Sequence, residues 1–212
     1  MPAAPRPVVY ATRNQGKLAE ARAILRGVFA PVLSLEDVPG APDVEESEPT
    51  FAGNALLKAR AAAAAAGGAA AIGDDSGLCV DALGGAPGVR SARFAADAGA
   101  GRGDAANNAL LLARLAGVES AQRGARFVCV LAYVEPGAGP GVAAREELVE
   151  GVCPGMIAAV PSGDGGFGYD PLFFLPELGV TMAELLAEEK NLVSHRARAF
   201  AALLAVLRAP AS

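Results

Sequence analysis

Two adjacent aspartates follow an apolar run near the middle of the chain. Asp74 and Asp75 stand in GDDSGL (73–78), directly after AAAI (69–72). The apolar run predicts a buried strand. Because Asp and Gly are common turn residues, one interpretation is an ordinary turn at the end of that strand. The alternative is that the two carboxylates, at the strand end, hold a metal ion or a water molecule.

A second candidate segment is TRNQGK (12–17), which lies between a predicted first strand and a predicted first helix. A loop that enters a helix presents free N–H groups and the positive end of the helix dipole, a natural seat for phosphate. Thr12 and Asn14 add donors, Gly16 allows close approach, and Lys17 adds positive charge. The segment lacks the GxxxxGK[ST] pattern of a P-loop, and an ordinary polar turn is the alternative.

Acidic residues also precede the helix that Thr50 is predicted to cap. The acidic segment DVEESEPT (43–50) contains Glu46, and acidic groups near a helix start are mildly stabilising on their own. Magnesium, however, is usually bound through one or two carboxylates together with substrate phosphates. Glu46 with either aspartate of the GDDSGL segment would supply them. Lys58 lies two turns into the following helix, where a solvated lysine is the simpler interpretation.

Two later segments suggest a site for a flat ring. In FGYDP, Phe167 would lie against a base and Asp170 would form hydrogen bonds nearby; a turn that carries a buried aromatic is the alternative. The segment EEKNLVSHR contains the only histidine, His195, directly before Arg196. Cations at a helix start oppose the helix dipole, so an anionic or electron-rich group is expected beside them.

The elements that position these residues alternate between strands and helices. Strands are predicted at 7–12 and 69–73, with further strands at 31–35 and 77–85 and a hairpin of 125–136 and 142–151 around the turn 137–141. Helices are predicted at 17–29, at 51–66, after an Asp104 cap, at 182–190 after a capping box of Thr181 and Glu184, and after a Ser194 cap. This order predicts an α/β fold with a mixed, partly parallel sheet flanked by helices.

Composition limits the classes of function. The chain has 212 residues and a formal net charge of −5, which does not suit a general nucleic-acid binder. No apolar run approaches the roughly 20 residues of a membrane span, and the first ten residues lack a signal-peptide pattern, so neither nucleic acid nor membrane is an expected partner. The three cysteines form no CxxC pair and predict buried free thiols in a cytoplasmic protein.

Taken together and in this order, five motifs resemble the Ham1-like inosine triphosphate pyrophosphatase family. They are TRNQGK, EESEPTF with NA and KA, GDDSGL with VDAL, GAPG and SARF, GGFGYDPLF, and EKN with SHR. The resemblance extends from residue 8 to about residue 200. It implies hydrolysis of noncanonical purine triphosphates (ITP, dITP and XTP) to the monophosphate and pyrophosphate with Mg²⁺. It also implies a homodimer and one elongated domain over 1–212, with two lobes around a central cleft.

The resemblance also implies roles for individual residues. Asp75 would be the general base, and Glu46, Asp74 and Asp75 would lie at the metal. The substrate-binding residues would be Thr12, Arg13, Asn14, Gln15, Gly16, Lys17, Lys58, Ser76, Phe167, Gly168, Tyr169, Asp170, Lys190, His195 and Arg196. Of these, residues 12–17 and Lys58 would meet the phosphates, and FGYD (167–170), Lys190, His195 and Arg196 would hold the base and sugar.

Two positions depart from the family pattern. Gly53 stands where the family often has Glu, so one acidic group is missing from the metal region, and Arg90 stands where Tyr is common. Three rival interpretations remain: a nucleotide sensor that does not hydrolyse its ligand, a pyrophosphatase for modified pyrimidine triphosphates, and a structural α/β protein. Pyrophosphate release from ITP, compared with GTP, ATP and dUTP, distinguishes them.

Overall fold

The computed structural model describes residues 5–137, 139 and 143–209, which include seven strands and six α-helices. The strands are β1 Arg6–Tyr10, β2 Phe29–Leu33, β3 Ala71–Val80, β4 Gly124–Glu135, β5 Arg145–Ile157, β6 Phe173–Leu175 and β7 Val180–Thr181. The helices are α1 Gln15–Ile24, α2 Phe51–Ala65, α3 Phe94–Asp97, α4 Asp104–Arg114, α5 Ala187–Val193 and α6 His195–Arg208. None of the helices in the described ranges is long and apolar enough to cross a membrane.

The strands form one sheet in the order β2-β1-β3-β4-β5-β6-β7. β1 is parallel to both β2 and β3, whereas β6 is antiparallel to both β5 and β7. The prediction of a mixed, partly parallel sheet is therefore confirmed. β4 and β5 are neighbours, as the predicted hairpin requires, although residues 138 and 140–142 of its connection lie outside the described residues.

The chain divides into two compact units. The first contains Met1–Asp75, Cys129–Gly151 and Ala199–Ser212, and the second contains Ser76–Val128 and Val152–Arg198. The core of the first unit packs side chains of β1, α1 and β4 against α6, with Leu25, Leu131 and Phe200 fully buried. The core of the second unit joins α4 to the loop and strand 169–175, through Leu111 and Phe173. The predicted central cleft stays a prediction.

Several predicted elements needed correction at their ends. Helix α1 ends at Ile24 rather than at 29, because Gly27 adopts a left-handed conformation (φ 85°) that stops the helix and lets β2 begin at Phe29. The capping box of Thr181 and Glu184 is present, but it begins only a single 3₁₀ turn. The predicted continuous helix there is wrong because Glu189 accepts a hydrogen bond from the Leu186 amide at 2.8 Å and starts a separate helix, α5.

Candidate active site

The aspartates lie inside a strand and not at its end. β3 runs without interruption from Ala71 to Val80, so the predicted separate strands at 69–73 and 77–85 are one strand. Successive side chains of a strand point to opposite faces of the sheet. Asp74 and Asp75, both buried, therefore reach different sets of partners. A strand that carries buried carboxylates is stable only if each carboxylate is hydrogen-bonded or paired.

A glycine brings the partners of Asp75 into reach. A Cβ atom on Gly73 would lie 2.0 Å from the Ala55 carbonyl oxygen, so only glycine lets α2 approach β3 this closely. Thr50 caps α2 as predicted, its side chain accepting from the Gly53 amide at 3.1 Å. Because residues four apart share a helix face, Asn54 and Lys58 both point from α2 toward the strand.

Asp75 is held by Asn54 and Lys58. Its Oδ2 accepts from Asn54 Nδ2 at 3.1 Å, and its Oδ1 accepts from Lys58 Nζ at 3.0 Å. The same Nζ donates to Glu46 Oε1 at 2.8 Å. Burial raises the pKa of the Asp75 carboxyl; Lys58 opposes this shift, and Glu46 adds to it. The pKa of Lys58 is raised although burial lowers it, because Asp75 and Glu46 favour the ammonium form. A raised carboxyl pKa suits a general base near neutral pH.

Asp74 has a different set of neighbours in the first unit. Its Oδ1 forms an ion pair with Lys17 Nζ. Its Oδ2 accepts from the Tyr10 hydroxyl at 2.7 Å and lies 3.4 Å from the Cys129 thiol. Both oxygens of Asp74 are thus engaged, and its assignment to the metal stays a prediction. What the geometry does show is that Asp74 fixes the ammonium of Lys17.

The segment TRNQGK forms the entry to α1. Asn14 is the N-cap, and its Oδ1 accepts from the Lys17 amide at 3.0 Å, while the Asn14 amide donates to Thr12 Oγ1 at 3.1 Å. The side chains of Arg13 and Gln15 reach Ala41 O and Glu36 at 3.4 Å. The loop-to-helix geometry that favours phosphate is therefore present, and its use for phosphate stays a prediction.

The carboxylates of the first unit fit a divalent cation in chemistry and grouping. Glu46 and Asp75 offer oxygen ligands within hydrogen-bond distance of one ammonium, Lys58 Nζ, so both already surround one positive charge. Within the described ranges, no three acidic, His or Cys side chains are arranged to hold a metal. Two carboxylates suffice when substrate phosphates and water complete the shell of Mg²⁺.

The space beside Gly53, which a side chain at this position would fill, is occupied by the side chain of Glu48. A Cβ atom on Gly53 would lie 2.7 Å from Cβ and 3.1 Å from Oε2 of Glu48. The space that a longer side chain would take at this position thus holds the carboxylate of Glu48. The departure from the family pattern therefore leaves an acidic group in this region. The other departure, Arg90, forms an ion pair with Asp97 at 3.3 Å.

The second unit gathers the predicted base-binding residues around Phe167. Lys190 Nζ lies 4.5 Å from the centroid of the Phe167 ring and donates to Asp170 Oδ2 at 2.6 Å. The same Oδ2 accepts from the Phe167 amide at 2.9 Å. A Cβ atom on Gly166 would lie 2.0 Å from this oxygen, so glycine is required there. Tyr169 is buried as well, and its hydroxyl donates to Ser91 O at 2.9 Å.

Arg196 and His195 open α6, and both are buried. Arg196 is 1% exposed, its Nη2 donates to Ser76 Oγ at 3.0 Å, and its guanidinium carbon lies 5.8 Å from the centroid of the Phe167 ring. The ring of His195 stacks on Phe127 with centroids 4.7 Å apart and an interplanar angle of 17°. Ser194 caps the helix as predicted, accepting from the Ala197 amide at 3.2 Å. The guanidinium of Arg196 and the imidazole of His195 therefore each lie beside an aromatic ring, and Arg196 also contacts a hydroxyl.

The predicted site residues thus fall into two sets. The phosphate cluster, in the first unit, comprises Thr12, Arg13, Asn14, Gln15, Gly16, Lys17, Glu46, Lys58, Asp74 and Asp75. The base cluster, in the second unit, comprises Ser76, Phe167, Gly168, Tyr169, Asp170, Lys190, His195 and Arg196.

Sequence reasoning missed Asn54, Tyr10 and Cys129, which contact the aspartates directly. Two signals were available. Asn54 stands four residues before Lys58 on the predicted helix, and a tyrosine in an otherwise apolar strand needs a partner for its hydroxyl. No comparable sequence signal exists for Cys129, because a buried thiol is common in any core.

Curated proteins and solved structures resemble this chain over nearly its whole length. A dITP/XTP pyrophosphatase of Geobacillus kaustophilus is 53% identical over 196 residues, which cover 92% of this chain and 91% of the relative. A dITP/XTP pyrophosphatase of Ralstonia nicotianae is 52% identical over 203 residues, 96% of this chain and 97% of the relative. A HAM1 protein from Coxiella burnetii has a TM-score of 0.81 at 40% identity, with 95% and 98% of the two chains covered.

The family model gives the same answer as these individual proteins. The model of the Ham1 family matches residues 8–206, a span that contains both clusters. The resemblance inferred from the five motifs is therefore confirmed, and the chain belongs to the Ham1 family.

Proposed function

We propose that this chain hydrolyses noncanonical purine nucleoside triphosphates (dITP, XTP and ITP) to the monophosphate and pyrophosphate, and so clears them from the nucleotide pool. The observation that carries the proposal is the buried Asp75, which shares one lysine with Glu46 and has a raised carboxyl pKa. The names of the relatives support the same substrate class, since both are dITP/XTP pyrophosphatases at more than 50% identity.

In the proposed reaction, a water oxygen forms a bond to the α-phosphorus while the bond from the α-phosphorus to the bridging oxygen breaks and pyrophosphate leaves. Asp75 would accept the proton of the attacking water, as a carboxylate within hydrogen-bond reach does in general base catalysis. Lys17 and the start of α1 would hold the polyphosphate. Phe167, Lys190, His195 and Arg196 would hold the base, and the whole chain 1–212 would act as one domain.

Magnesium is the proposed cofactor, held by Glu46 and Asp75, with Asp74 beside them. When bound, it would neutralise phosphate charge and lower the pKa of the attacking water. To hold the ion, Glu46 and Asp75 would exchange part of their contact with the Lys58 ammonium, which donates to both carboxylates. Lys58 would then be available to a phosphate oxygen.

The test is pyrophosphate release from dITP, XTP and ITP beside GTP, ATP and dUTP, with Mg²⁺ and after its removal by a chelator. We expect rapid release from the first three substrates and little from the others, with activity lost on chelation and restored by Mg²⁺. Preference for dUTP would favour the pyrimidine alternative, and tight binding without release would favour the sensor. Equal rates for all six nucleotides would contradict the proposed specificity.

We also propose that the chain forms a homodimer in the cytoplasm. The thiols of its three cysteines are buried and form no disulfide among the described residues, which suits the reducing cytoplasm. Light scattering after size exclusion measures the oligomeric state; a mass of 21.2 kDa would contradict the dimer, since that is the mass of one chain.

A further inference from the structure

One face of α4 holds a single residue of the loop that carries Phe167. Residues 158–172 contain neither helix nor strand. Within them, the Gly168 amide donates to Asp104 Oδ2 at 2.6 Å, and the Gly168 carbonyl accepts from Asn108 Nδ2 at 2.9 Å. Asp104 and Asn108 are one helical turn apart and share a face. Together they bind both backbone polar groups of Gly168, as a neighbouring strand would.

This contact explains why the predicted role of Asp104 as a helix cap is wrong. The N-cap of α4 is Gly103, and Asp104 is the first helical residue. Its carboxylate is still favoured near the positive end of the helix dipole. It is turned to the Gly168 amide, however, and not to an amide of its own helix. The position of Asp104 at the helix start thus serves a contact with a distant loop.

Gly168 needs an external support of this kind. Its φ is +64°, in the left-handed region that glycine enters freely, and glycine is also the residue with the greatest conformational freedom. Phe167 precedes it directly. Asp170 fixes Phe167 on the other side, through the Phe167 amide at 2.9 Å. The backbone of Phe167 is therefore set by Asp170 on one side and, through Gly168, by α4 on the other.

We propose that Asp104 and Asn108 are positioning residues that hold Phe167 in place for the nucleobase. The inference rests on the proposed function and on the assignment of Phe167 to the base. The second half of the loop has its own anchors, because the Tyr169 hydroxyl donates to Ser91 O and Phe173 is fully buried. Loss of the contacts from α4 is therefore expected to loosen Phe167 and Gly168 and to leave the fold intact.

The experiment compares a ligand that carries both the base and a phosphate with a ligand that carries phosphates alone. Equilibrium binding of dIMP, which carries hypoxanthine, and of inorganic triphosphate, which carries no base, is measured for the wild type, Asp104→Ala and Asn108→Ala. We expect each variant to bind dIMP about 10-fold more weakly, as loss of one hydrogen bond to a buried or charged group predicts. Affinity for inorganic triphosphate should change less than about two-fold.

Two further variants separate positioning from general damage. Asp104→Asn keeps an oxygen that can accept from the Gly168 amide, and it should recover most of the dIMP affinity. Asp164→Ala removes one exposed carboxylate from the same loop and serves as the charge control. Thermal melts establish that each variant folds. If Asp104→Ala unfolds, Asn108→Ala and Asp104→Asn carry the test.

Unchanged dIMP affinity in both alanine variants, or an equal loss for dIMP and inorganic triphosphate, would overturn the inference. A wild type that does not bind dIMP would overturn it as well. A wild type that binds dIMP and shows the expected pattern, but releases no pyrophosphate from dITP or XTP, would refute the proposed function alone.

Discussion

The phosphate cluster and the base cluster each contain a buried lysine–aspartate ion pair, but the net formal charges of the side chains around these pairs have opposite signs. In the phosphate cluster, Lys17 and Lys58 pair with three carboxylates, so these five side chains carry a formal excess of one negative charge. The remaining cation of the cluster, Arg13, lies 3.9 Å from Asp43, which is outside the cluster.

In the base cluster, Asp170 is the single carboxylate and pairs with Lys190, while the guanidinium of Arg196 lies by the Phe167 ring, so the formal excess is one positive charge. Both clusters bury a lysine–aspartate pair, and they differ in the sign of the charge that is left over.

The difference indicates what each cluster is able to bind. An excess of carboxylates repels a polyphosphate and attracts a divalent cation, which agrees with the proposal that a metal joins the lysines in the phosphate cluster. An excess of donors in a buried setting attracts an electron-rich acceptor such as a keto oxygen, and needs no metal. The comparison therefore predicts that variants of one cluster change turnover and metal use, and that variants of the other change the choice of base.

The largest effect is expected from Asp75→Asn. Loss of the proposed general base should lower kcat by roughly 10²- to 10⁴-fold, with nucleotide binding largely retained. The measurement is kcat together with Kd for a purine triphosphate. Asp81→Asn is the matched control, since the Asp81 carboxylate is exposed and forms an ion pair with Arg126. A near-normal kcat in Asp75→Asn would remove Asp75 from the chemistry.

Lys58→Met makes the charge imbalance of the phosphate cluster worse. Without the shared ammonium, Glu46 and Asp75 lose the cation that both contact. Breaking such a buried pair costs about 3 kcal/mol, which for a chain of this length lowers Tm by roughly 6–12 °C. Mg²⁺ should then raise Tm more in Lys58→Met than in the wild type, because the folded state binds the ion more tightly.

The control for Lys58→Met lies on the same helix. Arg60 forms an exposed ion pair with Glu146, and because exposed ion pairs contribute little to stability, Arg60→Met should lower Tm much less than Lys58→Met. An equal decrease of Tm in both variants would show that the buried ion pairs of Lys58 contribute no more to stability than the exposed pair of Arg60. A Mg²⁺ response that is the same in Lys58→Met and the wild type would contradict a metal at Glu46 and Asp75.

The comparison also shows which features of the two clusters can be predicted from the sequence. The two ends of α2 and its inward face were predictable, because Thr50 is a good cap, a glycine pair stops the helix, and Lys58 follows at a definite spacing. The ligand chemistry of magnesium grouped Glu46 with one of the aspartates, and only the resemblance brought Lys58 to the same site; the ion pairs of Lys58 with Glu46 and Asp75 were not predicted. Spacing along the chain does not report which helix packs on which strand; here that depends on Gly73, whose missing side chain admits α2.

Long-range polar partners were the hardest to predict. Tyr10 meets Asp74 because β1 and β3 are parallel neighbours, with Tyr10 opposite Ile72. Asp104 meets Gly168 across 64 residues of sequence. Both contacts satisfy buried or charged groups, and a pattern of apolar residues contains no information about such pairs. Local signals predicted a cap at Asp104, and the tertiary contact overrode them.

Arg196→Ala tests the positive excess of the base cluster. We expect Arg196 to donate to the purine 6-keto oxygen, because a guanidinium has donors only, and adenine presents an amino group at that position. Loss of one charged donor should narrow the ratio of kcat/KM for ITP over ATP by roughly 10- to 100-fold. The measurement is kcat/KM for ITP, XTP, GTP and ATP. Arg198→Ala is the control, because the guanidinium of Arg198 donates to backbone carbonyls near the surface.

A proportional loss for all four substrates in Arg196→Ala would move Arg196 away from base recognition. Its contact with Ser76 would then be structural. That outcome would also break the comparison between the clusters, because the base cluster would no longer govern the choice of substrate.

The smallest of these effects is expected from Lys17→Ala in the phosphate cluster. Lys17 stands at the start of α1, and its ammonium is held by Asp74. Removal of one positive charge that is proposed to bind the polyphosphate should raise KM for a triphosphate about tenfold, the effect expected for loss of one charge-assisted hydrogen bond. Affinity for the monophosphate should fall less.

Asp74 also loses an ion-pair partner, but the Tyr10 hydroxyl still donates to it, so Tm should drop by less than in Lys58→Met. Arg26→Ala, just beyond the same helix, is the control. An equal loss of monophosphate and triphosphate affinity would show that Lys17 does not read the polyphosphate tail, and that the Asp74 pair serves folding alone.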